Sequence, residues 1–194
     1  MKKYKIVKIQ NWSRTIKCFS KVFFPTNYNE LKQIINSKKI KTFSFRAGGC
    51  SYGDCFLNEE SVIDLRKFNK ILKIDSKKKT IDVQCAVKID QLLNYIIPKG
   101  YYIHSIPGAN SGTVGGCINS NVHGKDSFKY GVFANNIISL KAMTPKGKIL
   151  NINRKNKNFQ FACGTYGLLY LILEAKLKLN LVETSKLSVE TKKF

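Results

Sequence analysis

Two glycine-bearing stretches hold the residues whose types and spacing could do chemistry. In SFRAGGCSYGD (44–54) a short apolar run ends in Arg46 and turns through Gly48 and Gly49. Cys50, Ser51, Tyr52 and Asp54 follow at once. Glycine tolerates positive φ and lets a backbone approach a ligand with no Cβ in the way. Successive amides from about Ala47 to Tyr52 can form an anion-holding nest, with the Ser51 hydroxyl as a further donor. A surface turn that merely needs positive φ accounts for the same residues equally well. The stretch is not a Walker A loop, because no Gly-Lys-Ser/Thr follows. Nor is it a G-x-G-x-x-G fingerprint, because Gly48 and Gly49 are adjacent and no third glycine opens a helix. The second stretch, SIPGANSGTVGGCINSNVHGKD (105–126), again offers small residues that permit close backbone approach, with Thr113, Asn119, His123 and Lys125 interleaved. Folding alone does not usually require two such tracts. Together they point to a long ligand with a phosphate-bearing middle and a flat polar end.

The elements that must position these tracts can be read from periodicity. PTNYNELKQIINSKK predicts a helix, with Asn27 as cap, Glu30 completing a capping box, and Leu31, Ile34 and Ile35 on one apolar face. KTFSFR reads as a short strand running into the first turn, and SVIDL, KILKID and KTIDVQCAV as further strands. KIDQLLNYIIPKG predicts a second helix, its apolar residues at 89, 92, 93, 96 and 97, stopped by Pro98 and Gly100. The tract 105–126 reads as loop. NIISLKAMTPKGKILNI reads as a hairpin turning at Pro145 and Gly147. YGLLYLILEAKLKLN is strand-like and at first nearly continuous in apolar residues. Helices and strands alternate early and strands dominate late, which makes the class α+β.

Bulk properties narrow the function classes. The 194 residues, 43% hydrophobic and 11% aromatic, suffice for a proper interior in one large domain or two lobes sharing a core. The formal charge is +22, yet the lysines are scattered and the arginines are only Arg14, Arg46, Arg66 and Arg154. Arginine is the residue that grips phosphates bidentately and reads bases, so no specific nucleic-acid partner is expected. Non-specific contact with polyanions or an acidic membrane surface at low salt is expected. The basic start lacks the apolar stretch of a signal peptide, and no apolar run of membrane-spanning length occurs, so the cytoplasm is the default compartment. Cys18, Cys50, Cys55, Cys85, Cys117 and Cys163 show no paired spacing and read as free thiols. His104 and His123 lack neighbours at metal-ligand spacing, and no metal site is expected.

The series FRAGGCSYGD, VIDL, SIPGANSGTVGGCINSNVHGKD and GTYGLLYLIL spans roughly residues 10–180, with NWSR near the start and Pro25 before the first helix. It resembles the PCMH-type FAD-binding domain of the vanillyl-alcohol oxidase/p-cresol methylhydroxylase flavoproteins, nearest in pattern to decaprenylphosphoryl-ribose and aldonolactone oxidases. The resemblance implies a two-lobed α+β domain over 10–182, with lobes of about 10–70 and 71–182 and FAD between them. Residues 183–194 would begin a substrate-covering cap domain. It implies that Arg46, Ala47, Gly48, Gly49, Cys50, Ser51 and Tyr52 wrap the FAD pyrophosphate. Pro107, Gly108, Thr113, Gly115, Gly116 and Asn119 would line the pyrophosphate, ribityl and flavin region. Ser120, His123 and Gly124 would run beside the isoalloxazine, and Ile172 would lie on the adenosine side.

The activity so implied is FAD-linked oxidation of a CH–OH group on an aldonolactone, sugar alcohol or polyprenyl-phosphate ribose. His123 would bond the flavin or assist proton removal, and Lys125 would hold a polar or anionic headgroup. His104 reads as structural, and Tyr130 is an outlying candidate. Relatives carry histidine as a covalent tether, or arginine, where this chain has Cys50. Non-covalent FAD is favoured over a Cys50 thioether. Full members of the family are longer, so an alternative is an FAD-binding fragment or subunit that is inactive without a separate substrate lobe. A reductase or epimerase chain is a further conceivable partner. An enolpyruvyl reductase on the same flavin fold is disfavoured by SYGD and HGKD.

Overall fold

The computed structural model describes residues 3–182 together with 184 and 191. The expectation for a cap domain beginning at 183 falls, those two positions apart, outside the described residues. The chain opens on an antiparallel hairpin, β1 (Tyr4–Gln10) with β2 (Lys17–Phe23), in a register running from Tyr4↔Phe23 to Gln10↔Lys17. Helix α1 (Tyr28–Ile35) then crosses over, and β3 (Ser44–Arg46) and β4 (Ser61–Asp64) complete a sheet of order β1-β2-β4-β3. The pairs β2–β4 and β3–β4 are parallel. The parallel neighbours β2 and β4 cannot be joined by a tight turn, and α1 and β3 lie between them in sequence.

Side-chain alternation along the strands splits the apolar residues of this sheet between its two faces. Val22 and Val62 stand side by side and join Ile9 and Phe56 in a small cluster. One residue on, Phe23 and Ile63 point the other way, into the main core, where Leu31, Ile34 and Ile35 of α1 meet them. The Asn27 side chain caps α1 by accepting from the Glu30 amide at 2.9 Å. The Glu30 carboxylate reaches back one residue further than a standard capping box, to the Thr26 amide at 2.8 Å.

The second sheet is antiparallel throughout. Its strands are β5 (Ile71–Asp75), β6 (Thr80–Gln84), β8 (Ile137–Met143), β9 (Ile149–Asn153) and β10 (Leu171–Lys178), in the order β5-β6-β10-β8-β9. Helix α2 (Ile89–Ile96) buries Ile89, Leu92, Leu93 and Ile96, and a 3-10 turn (Ile97–Lys99) follows it, capped by Gly100 in the left-handed region, φ 77°. A two-stranded pair, β7 (Tyr101–Tyr102) with β11 (Asn180–Leu181), closes the edge. One continuous core runs from α1 and β4 through α2 to β6, β8 and β10. The joint between the sheets is partly polar. Tyr28, at the start of α1, stacks on Phe68 at 5.3 Å and donates its hydroxyl to Glu174 of β10 at 2.7 Å. Burial and that carboxylate push the Tyr28 pKa well above the ordinary tyrosine value.

Three expectations need correction. The chain begins with the β1–β2 hairpin, a strand pair ahead of the first helix that the periodicity reading left out. The tract 105–126 is not all loop, because α3 (Val114–Asn119) forms within it, capped by Thr113. Last, the terminal strand starts at Leu171 and not at the apolar run before it. Tyr166 (φ 53°) and Gly167 (φ 81°) make a turn there, and Leu168 is 79% exposed. A short helix, α4 (Ser127–Tyr130), follows the tract. The six cysteines are free thiols. Among the described residues no helix is long and apolar enough to cross a membrane.

α3 is seated on the end of β6 by backbone contact. The Gly115 amide donates to the Cys85 carbonyl at 2.7 Å. A Cβ on Gly115 would lie 2.9 Å from the Cys85 β-carbon and 3.0 Å from its carbonyl oxygen, neither of which can retreat without moving β6. Gly115→Ala is expected to cost roughly 1–3 kcal/mol of stability by overpacking, read from the shift of the urea midpoint.

Candidate functional site

The first turn hangs from the end of β3. Gly49 has φ +67°, and the position a Cβ would take there is 3.1 Å from the Arg46 guanidinium. Arg46 itself does not line the space the turn encloses. Its guanidinium sits behind the turn, 4.0 Å from the buried Asp64 carboxylate and 5.8 Å from the Phe56 ring centroid. Burial lowers its pKa against the opposing pull of Asp64. Arg66 holds the same carboxylate more closely, at 2.8 Å from Oδ2, with its Nε 2.9 Å from both oxygens. From the front, the 11–16 loop clamps the turn. The Trp12 amide donates to the Ser51 carbonyl at 2.9 Å, and the buried Asn11 side chain donates to the Tyr52 carbonyl at 2.6 Å. With its carbonyls engaged, the turn presents its donors. Among the described residues the amides of Gly48, Gly49, Cys50 and Ser51 have no protein acceptor. The Cys50 thiol lies 3.5 Å from both the Gly48 carbonyl and the Ser111 hydroxyl, and so joins the first tract to the second.

The donors of α3 are, by contrast, already spent. Val114 donates to Val87, Gly115 to Cys85, Gly116 to the Thr113 hydroxyl and Cys117 to the Thr113 carbonyl. This helix start is a packing joint and not an anion site. Its C-terminal end is wrapped by the 163–168 turn, where Gly164 donates to Ile118 and Tyr166 to the Asn119 carbonyl. Between the two tracts lies a cavity of about 940 Å³, floored by β10 at Leu171 and Ile172. The buried Asn119 Oδ1 on its wall has no hydrogen-bond partner. Gly108 lines it too, and a Cβ there would meet nothing within 4 Å, so neither packing nor φ calls for that glycine. Four free amides, an orphaned buried acceptor and a bare backbone around one cavity fit a ligand with a phosphate bridge and hydrogen-bonding ring edges.

The residues singled out from the sequence fall into two groups. Ala47 to Tyr52, Pro107, Gly108, Thr113, Gly115, Gly116, Asn119, Ser120 and Ile172 all line this cavity. Arg46, His123, Gly124 and Lys125 do not. His123 and Lys125 are exposed, just beyond Val122, which does line it. Gly124 is packed against the Ile106 backbone with no room for a Cβ. His104 is paired with Asp126 at 2.9 Å and stacked on Tyr130 at 3.5 Å. Sequence reasoning missed Trp12, Phe56, Cys85, Cys117 and Tyr166 as wall residues. The motifs NWSR and GTYG held a signal for Trp12 and Tyr166. The two buried thiols gave none, since a cysteine in an apolar run reads as core.

Comparison with known proteins agrees with this geometry. A family model described as FAD binding domain matches residues 19–153. The decaprenylphosphoryl-beta-D-ribose oxidase of Mycolicibacterium smegmatis is 33% identical over 72% of this chain and 31% of its own length. The L-gulonolactone oxidase of Bos taurus is 29% identical over 90% of this chain and 41% of its own. The chain thus spans less than half the length of these relatives. In fold, it is similar to a solved structure of alkyldihydroxyacetonephosphate synthase, with a TM-score of 0.75 at 21% identity, over 87% of this chain and 33% of the other. With its two glycine tracts facing one cavity and a family match across most of its length, the chain belongs to the FAD binding domain family, with FAD as its cofactor.

Proposed function

We propose that this chain is the cofactor-holding part of an enzyme that oxidises a sugar-type alcohol: an aldonolactone, a sugar alcohol or a polyprenyl-phosphate ribose. The observation that carries the reading is the row of acceptor-free amides at 48–51 facing Gly108 and Asn119 across one cavity. When bound, FAD supplies a hydride acceptor at its N5. The residues of this chain bind and orient it. The 48–51 amides and the Ser51 hydroxyl would hold the pyrophosphate, Asn119 would accept from a ring or ribityl donor, and Leu171, Ile172 and Cys117 exclude water from the floor. His123 and Lys125, at the exposed edge beyond Val122, are suited to move a proton and to hold a polar or anionic headgroup. Their exposure also favours a second reading, in which the chain works only against a separate substrate-binding lobe.

The absorbance spectrum of the purified chain, taken before and after acid precipitation, tests the cofactor reading. Flavin bands that pass into the supernatant are expected, with Cys50 a lining residue. Colour retained in the pellet and lost in Cys50→Ser would make the thiol a tether, and failure to take up added FAD would sink the reading. Anaerobic addition of aldonolactones or polyols should then bleach the bands. Bleaching by simple 2-hydroxy acids alone would overturn the substrate class, and no bleaching by any of these would favour the second reading.

One variant and one reagent separate site from scaffold. Gly108→Val should leave stability within about 0.5 kcal/mol of wild type, since no atom lies near the new side chain. The same change should weaken FAD binding at least tenfold by titration. Burial pushes the thiols of Cys85 and Cys117 up to about 12 and that of Cys163 to about 11, so they stay protonated at neutral pH. Iodoacetamide at mildly alkaline pH should therefore label the exposed Cys55 first and spare Cys85 and Cys117. Bound FAD should slow labelling of Cys50, as mapped by peptide mass.

A further inference from the structure

We propose that Asp126 is the positioning residue of the cofactor groove: by gripping His104 and the Ser105 backbone, it sets the path along which Pro107 and Gly108 enter the cavity. The inference rests on the cavity being the FAD site. Ser105 is fully buried and has φ 56°, a left-handed conformation that residues other than glycine, asparagine and aspartate rarely adopt. Such a residue persists only where its surroundings over-determine it. Here they do. The Ser105 amide donates to Asp126 Oδ1 at 3.0 Å and to Oδ2 at 3.3 Å, and its hydroxyl donates to the Gly131 carbonyl at 2.7 Å.

His104 completes the grip. Its Nδ1 is 2.9 Å from Asp126 Oδ2, and its ring lies between Tyr130, stacked at 3.5 Å and 11°, and the edge of Tyr102 at 5.5 Å and 76°. The buried Asn136 side chain donates to the His104 carbonyl at 2.8 Å. The residue after Ser105 is Ile106, whose backbone packs on Gly124, and the next two are cavity-lining Pro107 and Gly108. One carboxylate thus ties the turn 123–126, with His123 and Lys125 on it, to the strand end that feeds the groove. Neither Asp126 nor His104 lines the cavity, so both act through the backbone they hold.

The test is the FAD dissociation constant, from quenching of flavin fluorescence, measured beside the thermal midpoint of each apoprotein. Asp126→Ala removes hydrogen bonds to a charged acceptor and should weaken FAD binding roughly tenfold to a hundredfold. Asp126→Asn keeps an oxygen for the Ser105 amide and an NH₂ for the other imidazole tautomer, and should bind within about threefold of wild type. His104→Ala loses one partner of the carboxylate and should fall between them, at roughly threefold to tenfold. If Asp126→Ala does not fold, the Asp126→Asn and His104→Ala pair carries the comparison. Wild-type affinity in the alanine variants, with only a lowered midpoint, would overturn the proposal and leave the FAD site standing. So would an asparagine variant as weak as His104→Ala or weaker. A wild-type chain that binds no FAD would overturn both.

Discussion

The site depends on one close approach, the amide of Gly115 against the carbonyl of Cys85 at 2.7 Å. It fixes α3 to the end of β6 without an intervening side chain, and β10, the neighbour of β6, then becomes the floor of the cavity. The same contact has a chemical consequence. It belongs to the set of bonds that satisfies the donors at the start of α3, so the helix cannot serve as the phosphate-binding element. On the proposed function, that task falls to the turn at 48–51. The turn's carbonyl side is tied down by Trp12 and Asn11, and its amides are left open. Scaffold and binding surface are thus divided between the tracts: one is locked by backbone bonds, and the other is held through its Ser51 and Tyr52 carbonyls while its amides at 48–51 have no protein acceptor among the described residues.

Much of this was legible in the sequence, and the misses have physical reasons. The helices α1 and α2 were readable because their apolar residues repeat at helical spacing with capping and stopping residues at their ends. The strand at Arg46 was readable because it runs into glycine, and the strand at Ile63 because β-branched apolar residues cluster in SVIDL. α3 was not. Val114-Gly115-Gly116 has poor helix propensity, and the segment is helical because Thr113 caps it and β6 and the 163–168 turn grip both ends. The apolar run Leu168–Tyr170 looked like strand, yet positive φ at Tyr166 and Gly167 turns the chain first and leaves Leu168 in solvent. Within the site, residue type identified the glycines but could not say what each is for. Gly115 and Gly124 are demanded by backbone contact and Gly49 by its φ and by Arg46, whereas Gly53 and Gly108 face open space in the cavity. Arg46 was legible as important and misread as to side, because a sequence shows that a cation adjoins a turn and not which face of the turn it supports.

The charge distribution adds a last constraint. The chain carries +22, yet among the described residues no lysine or arginine lines the cavity, where Asp54 is the charged residue among tyrosines, thiols and small side chains. The cations therefore act on an anionic cofactor only at a distance. Such a field raises encounter rates and decays within about 8 Å at physiological ionic strength. On the proposed reading the pyrophosphate, once in place, would be held by fixed amide dipoles in a partly enclosed space, where screening by salt is weak. Salt should thus slow the capture of FAD far more than it speeds its release. Adherence to polyanions, which relies on the outer lysines alone, is lost as salt rises. The basic surface and the cofactor site are in this sense separate devices. The excess of lysine says little about what the protein does, and the arrangement of four uncharged amides says most of it.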